Sequence, residues 1–258
     1  MDSLKNKSVI LTGAGTGIGR TTAKMLGEMG ANVFIVGRRE NLLIETVKEI
    51  EEAGGKGAYI SADLEDGDAA ANVANVAVQE FGNIQYLINN AGHSSKVRAL
   101  RYVDKEDWQS VFNVNVEGVY RLTQAILPNM IKNKEGTIVT VSSMAAITPG
   151  LMGGIPYSSA KAAVAAMMTA MRQELREYGI RSCTIYPAEV DTPILDNRPL
   201  PPDAKARASM MQPEDIAEAI LLCMRMPQRT IVQDLVVSPT ILRDISEDMK
   251  IAKNLKSK

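Results

Sequence analysis

Aromatic side chains are scarce in this chain: 258 residues hold three Phe, one Trp and seven Tyr. A core must therefore be packed from Ala, Val, Ile, Leu and the 14 Met. Histidine is scarcer still, with His93 alone, and the two cysteines, Cys183 and Cys223, stand far apart in neither a CxxC nor a metal-ligand spacing. A lone His without a Cys, Asp or Glu cluster at ligand spacing builds no metal site, so none is expected and His93 reads as structural or exposed. The thiols read as reduced and buried, which fits a cytoplasmic protein. An excess of one charge is also missing. A formal net charge of -1 creates no field toward nucleic acid or an anionic membrane, so neither is an expected partner. No run has the length and apolarity of a membrane span. Residues 1–8 are polar and lead straight into a strand-like segment, leaving no room for a secretory signal.

What is present is a rhythm. Short apolar, β-branched runs at 8–12, 32–36, 57–61, 85–89, 136–142, 181–186 and 234–237 read as buried strands. Helical patterns at 19–30, 40–53, 66–81, 107–133, 158–178 and 213–224 lie between them. This alternation predicts an α/β fold: one domain over 1–258, with a doubly wound parallel sheet of about seven strands and helices on both faces. Residues 192–212, which include Pro193, Pro199, Pro201 and Pro202, are the most irregular stretch. A loop of that length in a compact domain predicts a substrate-binding flap.

The first strand runs into Thr12-Gly-Ala-Gly-Thr-Gly-Ile-Gly19 and then a helix. Glycines let a backbone turn sharply and approach a pyrophosphate, and the following helix N-terminus offers free N–H groups to it. Gly13, Gly15, Thr16, Gly17, Ile18 and Gly19 are therefore candidate cofactor-binding residues, although the spacing is Gly13-x-x-x-Gly17-x-Gly19 rather than strict GxGxxG. The second strand should end in a carboxylate if it holds the ribose hydroxyls of NAD. It ends instead in Gly37-Arg38-Arg39. A guanidinium clamps a 2′-phosphate, so Arg38, with Arg39 as helper or adenine-stacking partner, predicts NADP(H). Thr16, where a basic residue would add support, gives none.

Tyr157 and Lys161 are four residues apart at a helix start and share a face. A phenol with a pKa near 10 carries protons poorly at neutral pH, and a neighbouring ammonium favours its ionised form.

Taken in order, TGxxxGIG, Asp63, Asn89-Asn-Ala-Gly92, Asn115, Ser143, Tyr157-Ser-Ser-Ala-Lys161 and Pro187-Ala-Glu-Val-Asp-Thr192 resemble the marks of the short-chain dehydrogenases/reductases over roughly residues 5–240. The resemblance implies a Rossmann-type fold and an oxidoreductase that interconverts a carbonyl and an alcohol by hydride transfer. It casts Ser143 as the donor to the substrate oxygen, Tyr157 as proton carrier, and Lys161 as holder of the nicotinamide ribose. Asn115, in preference to Asn113, would hold a relay water in a distorted helix segment. Asp63 and Leu64 would touch adenine, Asn89 would brace the sheet near the cofactor, and Ala91 and Gly92 would line it. Pro187, Val190 (through its backbone) and Thr192 match positions that hold the carboxamide. Ala188 and Ala146 depart from the family, since glycines often stand there.

The implied substrate is a small aldehyde or ketone, or a 3-hydroxy/3-oxo acid, with a 3-oxoacyl thioester as the alternative. A regulator that senses NADP(H) without turnover is a different class of reading, and the complete Asn115/Ser143/Tyr157/Lys161 set speaks against it. Nucleotide-sugar epimerases usually have a longer C-terminal region than the 66 residues that follow Thr192 here. The family also implies a homotetramer or homodimer, and Ala162, Ala163, Ala166, Met167 and Ala170 suit close helix packing. The pocket is expected to be lined by segments 93–102, 144–156 and 194–211, and Glu189 is read as either pocket-facing or solvated. Arg198, Lys205 and Arg207 read as scattered surface charge, and residues 250–258 as a solvated tail.

Overall fold

The computed structural model describes residues 4–256; the first three and last two residues, which carry parts of the leader and tail expectations, lie outside it. Strands β1 (Ser8–Thr12), β2 (Asn32–Gly37), β3 (Lys56–Ser61), β4 (Tyr86–Asn89), β5 (Gly136–Val141), β6 (Ile180–Pro187) and β7 (Asp234–Val237) form one sheet. Its order is β3-β2-β1-β4-β5-β6-β7 and every pairing is parallel. The expected doubly wound sheet is therefore present.

The helices are α1 (Gly17–Glu28), α2 (Glu40–Glu52), α3 (Ala69–Phe81), α4 (Lys105–Phe112), α5 (Gly118–Asn133), α6 (Met144–Ile147), α7 (Ile155–Glu174), α8 (Ala204–Arg207), α9 (Pro213–Arg225) and α10 (Ser246–Asn254). Side chains alternate across a strand, and β1 shows what that does here. Val9 and Leu11 pack with Leu26, Ile50 and Ile220 of α1, α2 and α9. Ile10 faces the other way, onto Val73, Leu122 and Met168 of α3, α5 and α7. Two aliphatic cores thus sandwich the sheet, each built with few aromatics. The chain winds outward in opposite directions from β1 and β4, leaving a crevice at their carboxyl ends, where ligands bind in such sheets.

Three expectations are corrected. The helix over 107–133 is broken: a π-turn, Asn113–Glu117, separates α4 from α5. The helix expected from residue 158 begins earlier, at Ile155, because Gly154 (φ 80°) turns the chain and Pro156 suits the first turn. A 3-10 turn, Arg176–Tyr178, finishes that stretch. The presumed tail folds as α10, with Asp248 and Ala252 buried, while Lys250 stays exposed as expected. The segment is held by an ion pair from Arg243 to Asp248 at 2.8 Å, which no local pattern announces.

Candidate active site

The glycine turn sits at the crevice. Gly13 and Gly17 adopt φ of 68° and 53°, where a Cβ is strained. A Cβ on Gly19 would stand 2.2 Å from the Gly13 carbonyl oxygen. The turn is pinned to β4: the Thr12 hydroxyl accepts from the Asn90 and Ala91 amides, each at 3.0 Å, and Asn90 Nδ2 donates to the Thr12 carbonyl at 3.0 Å. Helix α1 starts here with no side-chain cap from Thr16 and no acidic residue in its first turn. Its N-terminal donors are thus left for an anion.

A cavity of about 590 Å³ runs over this turn, lined by Gly13, Gly15, Thr16, Gly17, Ile18, Arg38, Arg39, Asp63, Leu64, Ala91, Gly92 and Thr192. Asn90 lines it too, a residue the sequence reading passed over in favour of its neighbour. Asn89 is buried instead, donating to Thr123 and Thr140 hydroxyls at 3.3 and 3.4 Å and so tying β4 to β5 and α5. Arg39 reaches the Thr16 hydroxyl at 3.5 Å, and Arg38 lies 3.6 Å from the Asp63 carboxylate. Both members of that pair are largely exposed, so the contact is weak and leaves Arg38 free to turn.

A second cavity, of about 720 Å³, shares Ile18, Asn90, Gly92, Thr192 and Ile194 with the first, so the two form one groove. Ser143, Tyr157 and Lys161 line it, as do Pro187, Ala188 and Val190. Ser143 caps α6, a short helix absent from the sequence reading, by accepting from the Ala145 amide at 3.1 Å. That contact uses a lone pair and leaves the hydroxyl proton to donate. Lys161 is buried and donates to the Val141 carbonyl at 2.9 Å. Burial lowers its pKa to about 8. Burial raises the Tyr157 pKa, opposed by a hydrogen bond with Ser143 and the charges of Arg98 and Arg198.

Asn115 explains the π-turn. Its Nδ2 donates at 2.8 Å to the carbonyl of Val111, the acceptor that the backbone amide of residue 115 would use in an α-helix. The same nitrogen donates at 2.8 Å to His93. The backbone slips accordingly, and the Gly118 amide bonds the Asn113 carbonyl five residues back. Asn115 Oδ1 is buried without a partner, and a Cβ on Gly92 would lie 2.7 Å from it and 3.2 Å from Lys161 Nζ. The structure thus brings Asn115, Gly92 and Lys161 together beside the groove.

The alanines that depart from the family sit without strain: neither Ala146 nor Ala188 has a positive φ, and the Ala188 amide pairs with the Val237 carbonyl at 2.9 Å. The 192–212 segment is less irregular than expected. It holds a 3-10 turn (Pro193–Asn197) and α8, and a parallel bridge between Val190 and Met211 closes its base. Thr192 donates to the Val190 carbonyl at 3.4 Å.

The open reading of Glu189 is resolved, and the readings of Arg198 and Arg207 are corrected. Glu189 faces the groove and is held by Arg198 and by Arg243, the latter at 2.9 Å. Arg198 is accordingly a cavity wall and not scattered surface charge, with 16% of its side chain exposed. Arg207 braces the flap through Asp191, at 2.6 Å, and Asp196. Arg98, not singled out from sequence although it lies in the expected pocket-lining segment 93–102, also lines this cavity at 3% exposure. His93 is half-buried on the cofactor side, 3.1 Å from the Ser110 hydroxyl.

A doubly wound parallel sheet with a glycine cradle and a Ser-Tyr-Lys wall defines a nucleotide-dependent enzyme of the Rossmann type. Residues 7–201 match the family model described as short chain dehydrogenase, and the chain belongs to that family of oxidoreductases. It is 34% identical over 227 residues to the 3-oxoacyl-(acyl-carrier-protein) reductase of Thermotoga maritima, covering 84% of this chain and 90% of the relative. Among solved structures, it superposes on a metagenomic short-chain oxidoreductase in complex with NADP with a TM-score of 0.81 at 28% identity, covering 93% of this chain and all of that one. A 3-ketoacyl-(acyl-carrier-protein) reductase from Brucella melitensis, complexed with NADH, gives 0.82 at 29% identity, covering 91% and 98%. No helix among the described residues is long and apolar enough to cross a membrane.

Proposed function

We propose that the chain is an NADP(H)-dependent oxidoreductase interconverting a carbonyl and an alcohol, on a small aldehyde or ketone or a 3-oxo/3-hydroxy acid. The observation that carries this is the single groove joining the glycine cradle and Arg38 at one end to Tyr157 and Lys161 at the other. The cradle suits a dinucleotide: it is backbone-lined where a Cβ would collide, and the α1 donors stand uncapped. Arg38 and Arg39 would hold the 2′-phosphate, with no carboxylate at the end of β2 to repel it. Asp63 and Leu64 would meet the adenine, and Pro187, Val190 and Thr192 the carboxamide end.

When bound, the cofactor supplies or accepts a hydride at its nicotinamide. The chain's own residues handle the substrate oxygen and its proton. Ser143 donates a hydrogen bond to that oxygen as charge develops on it. In the reductive direction Tyr157 delivers the proton, and in the oxidative direction it receives one. The Lys161 ammonium favours the phenolate left behind, and Asn115 Oδ1, unpartnered near Lys161, would hold a water that returns the proton. Supporting a 3-oxoacyl thioester as the second reading are the names of the two reductase relatives.

Titration of the protein and of Arg38→Ala with NADPH and NADH tests the reading. Tighter NADPH binding that the substitution erases is the expected result. NADH binding as well or better would overturn the cofactor assignment, and binding of neither would overturn the enzyme reading itself. For the assembly we propose a homotetramer or homodimer, and a monomer in sedimentation would oppose it.

A further inference from the structure

The substrate half of the groove contains a buried cation that makes no ion pair among the described residues. Arg98 is 3% exposed and lines the cavity beside Tyr157. A guanidinium carries five N–H donors. Here one nitrogen donates to the Gly153 carbonyl and another to the Ser94 hydroxyl at 3.4 Å, while Nε is buried with no partner. Among the described residues no carboxylate forms an ion pair with it; Asp107 attracts it only from beyond ion-pair distance and already accepts from the Ser95 hydroxyl. Its neighbour Arg198 is committed to Glu189, and Arg243 bridges Glu189 and Asp248. Those four charges cancel. Arg98 and Lys161 remain as net positive charge on a wall that is otherwise largely apolar and hydroxylic.

Burying a cation without a counter-ion is costly, and a neutral amide could make the Gly153 contact equally well. The retained charge therefore suits a ligand that brings the opposite one. We propose that Arg98 receives the carboxylate of the substrate, so that the enzyme acts on a short oxo acid or the matching hydroxy acid. This rests on the carbonyl-reducing reading above and chooses within it.

The spacing sets the size. Arg98 is bonded to Gly153, where an added Cβ would lie 3.5 Å from the Tyr157 ring, and the Arg98 carbonyl accepts from the Ile155 amide at the start of α7 at 3.0 Å. Arg98 and Tyr157 thus line one cavity close to each other, which favours a short chain between carboxylate and reacting carbonyl. A thioester delivered by a carrier has no carboxylate to offer at that distance, which separates this proposal from the thioester reading. Ser94, beside the guanidinium, is positioned to share the carboxylate.

The test uses the whole protein with NADPH and a series of 2-, 3- and 4-oxo acids beside their methyl esters. The expected result is a kcat/KM for the best acid at least about tenfold above its ester, a ratio that Arg98→Gln collapses toward one and Arg98→Lys partly restores. Equal or better use of the ester by the wild-type protein overturns the proposal. So does a parallel loss on acid and ester in Arg98→Gln, because that is the signature of a residue that merely pins the Gly153 loop. If the Gln variant does not fold, inhibition of wild-type turnover decides: butanoate should compete with substrate and butanamide should not, and equal inhibition overturns the proposal. Failure of the underlying reading looks different. No acid, ester or simple ketone would then be turned over with either nicotinamide cofactor. In that event calorimetric binding of butanoate, lost in Arg98→Gln, would still support the carboxylate site, and absent binding would sink it.

Discussion

The ammonium of Lys161 lies 5.6 Å from the centre of the Tyr157 ring, near enough for its charge to act on the phenol. Both groups are buried, and burial moves their pKa values in opposite directions. In the proposed mechanism the two side chains act as one proton-handling unit whose charge state depends on both. Tyr157→Phe removes the proton carrier and is expected to lower kcat for carbonyl reduction by about 10²–10⁴-fold, read by steady-state kinetics with saturating NADPH. A loss under tenfold would mean that another group supplies the proton.

Lys161 yields a prediction about pH. Its folded pKa of about 8 lies below the ordinary 10.5, so the unfolded chain binds more protons between those values and stability rises with pH across that window. Below about pH 8 the burial penalty is fully present. Lys161→Met is therefore expected to melt several degrees above wild type at pH 7, a gain on the order of 1–2 kcal/mol after the lost Val141 hydrogen bond is discounted. The gain should shrink as pH rises through 8 toward 10.5, while turnover is abolished at every pH. Thermal melts at stepped pH would check both.

Asn115→Leu deprives the Val111 and His93 carbonyls of a donor in a buried place. Each loss costs about 1–3 kcal/mol, so the melting temperature should fall by several degrees. Turnover should fall further than that instability explains, because the unpartnered Oδ1 beside Lys161 disappears as well. A variant that melts lower but reduces carbonyls at the wild-type rate would remove Asn115 from the proton path.

Gly19→Ala places a Cβ 2.2 Å from the Gly13 carbonyl, which cannot retreat without moving the turn. Weakening of NADPH binding by at least about tenfold is expected from calorimetry, with catalysis reduced in proportion. Unchanged affinity would show that this turn does not hold the pyrophosphate.

The parallel sheet and the nearness of Tyr157 to Lys161 were legible because both rest on local chemistry. Strands such as β1 announce themselves by β-branched runs, and Tyr157 and Lys161 share a face by spacing alone. The π-turn was foreseen only as a distortion implied by resemblance. Its cause, the amide of Asn115 reaching both Val111 and His93, needs a contact across 22 positions. Arg98 was placed in a pocket-lining segment but not singled out, for a similar reason: it stands in an aperiodic stretch, and its burial depends on the Gly153 loop 55 residues away. The pairing of Glu189 with Arg243, 54 positions apart, likewise turned a presumed tail into a helix packed beside the groove.

The bridge between Val190 and Met211 lies between the end of β6 and the start of α9, so everything between them loops out and back through a single gate. Closure entropy grows only slowly with loop length, so insertions and deletions inside this gate should leave the framework standing. The segment behaves as a cassette. A relative's counterpart that keeps Thr192, Pro193 and Ile194, which also line the glycine-turn cavity, could be grafted inside this gate, exchanging the outer wall of the groove while the glycine turn, Tyr157 and Lys161 stay where they are.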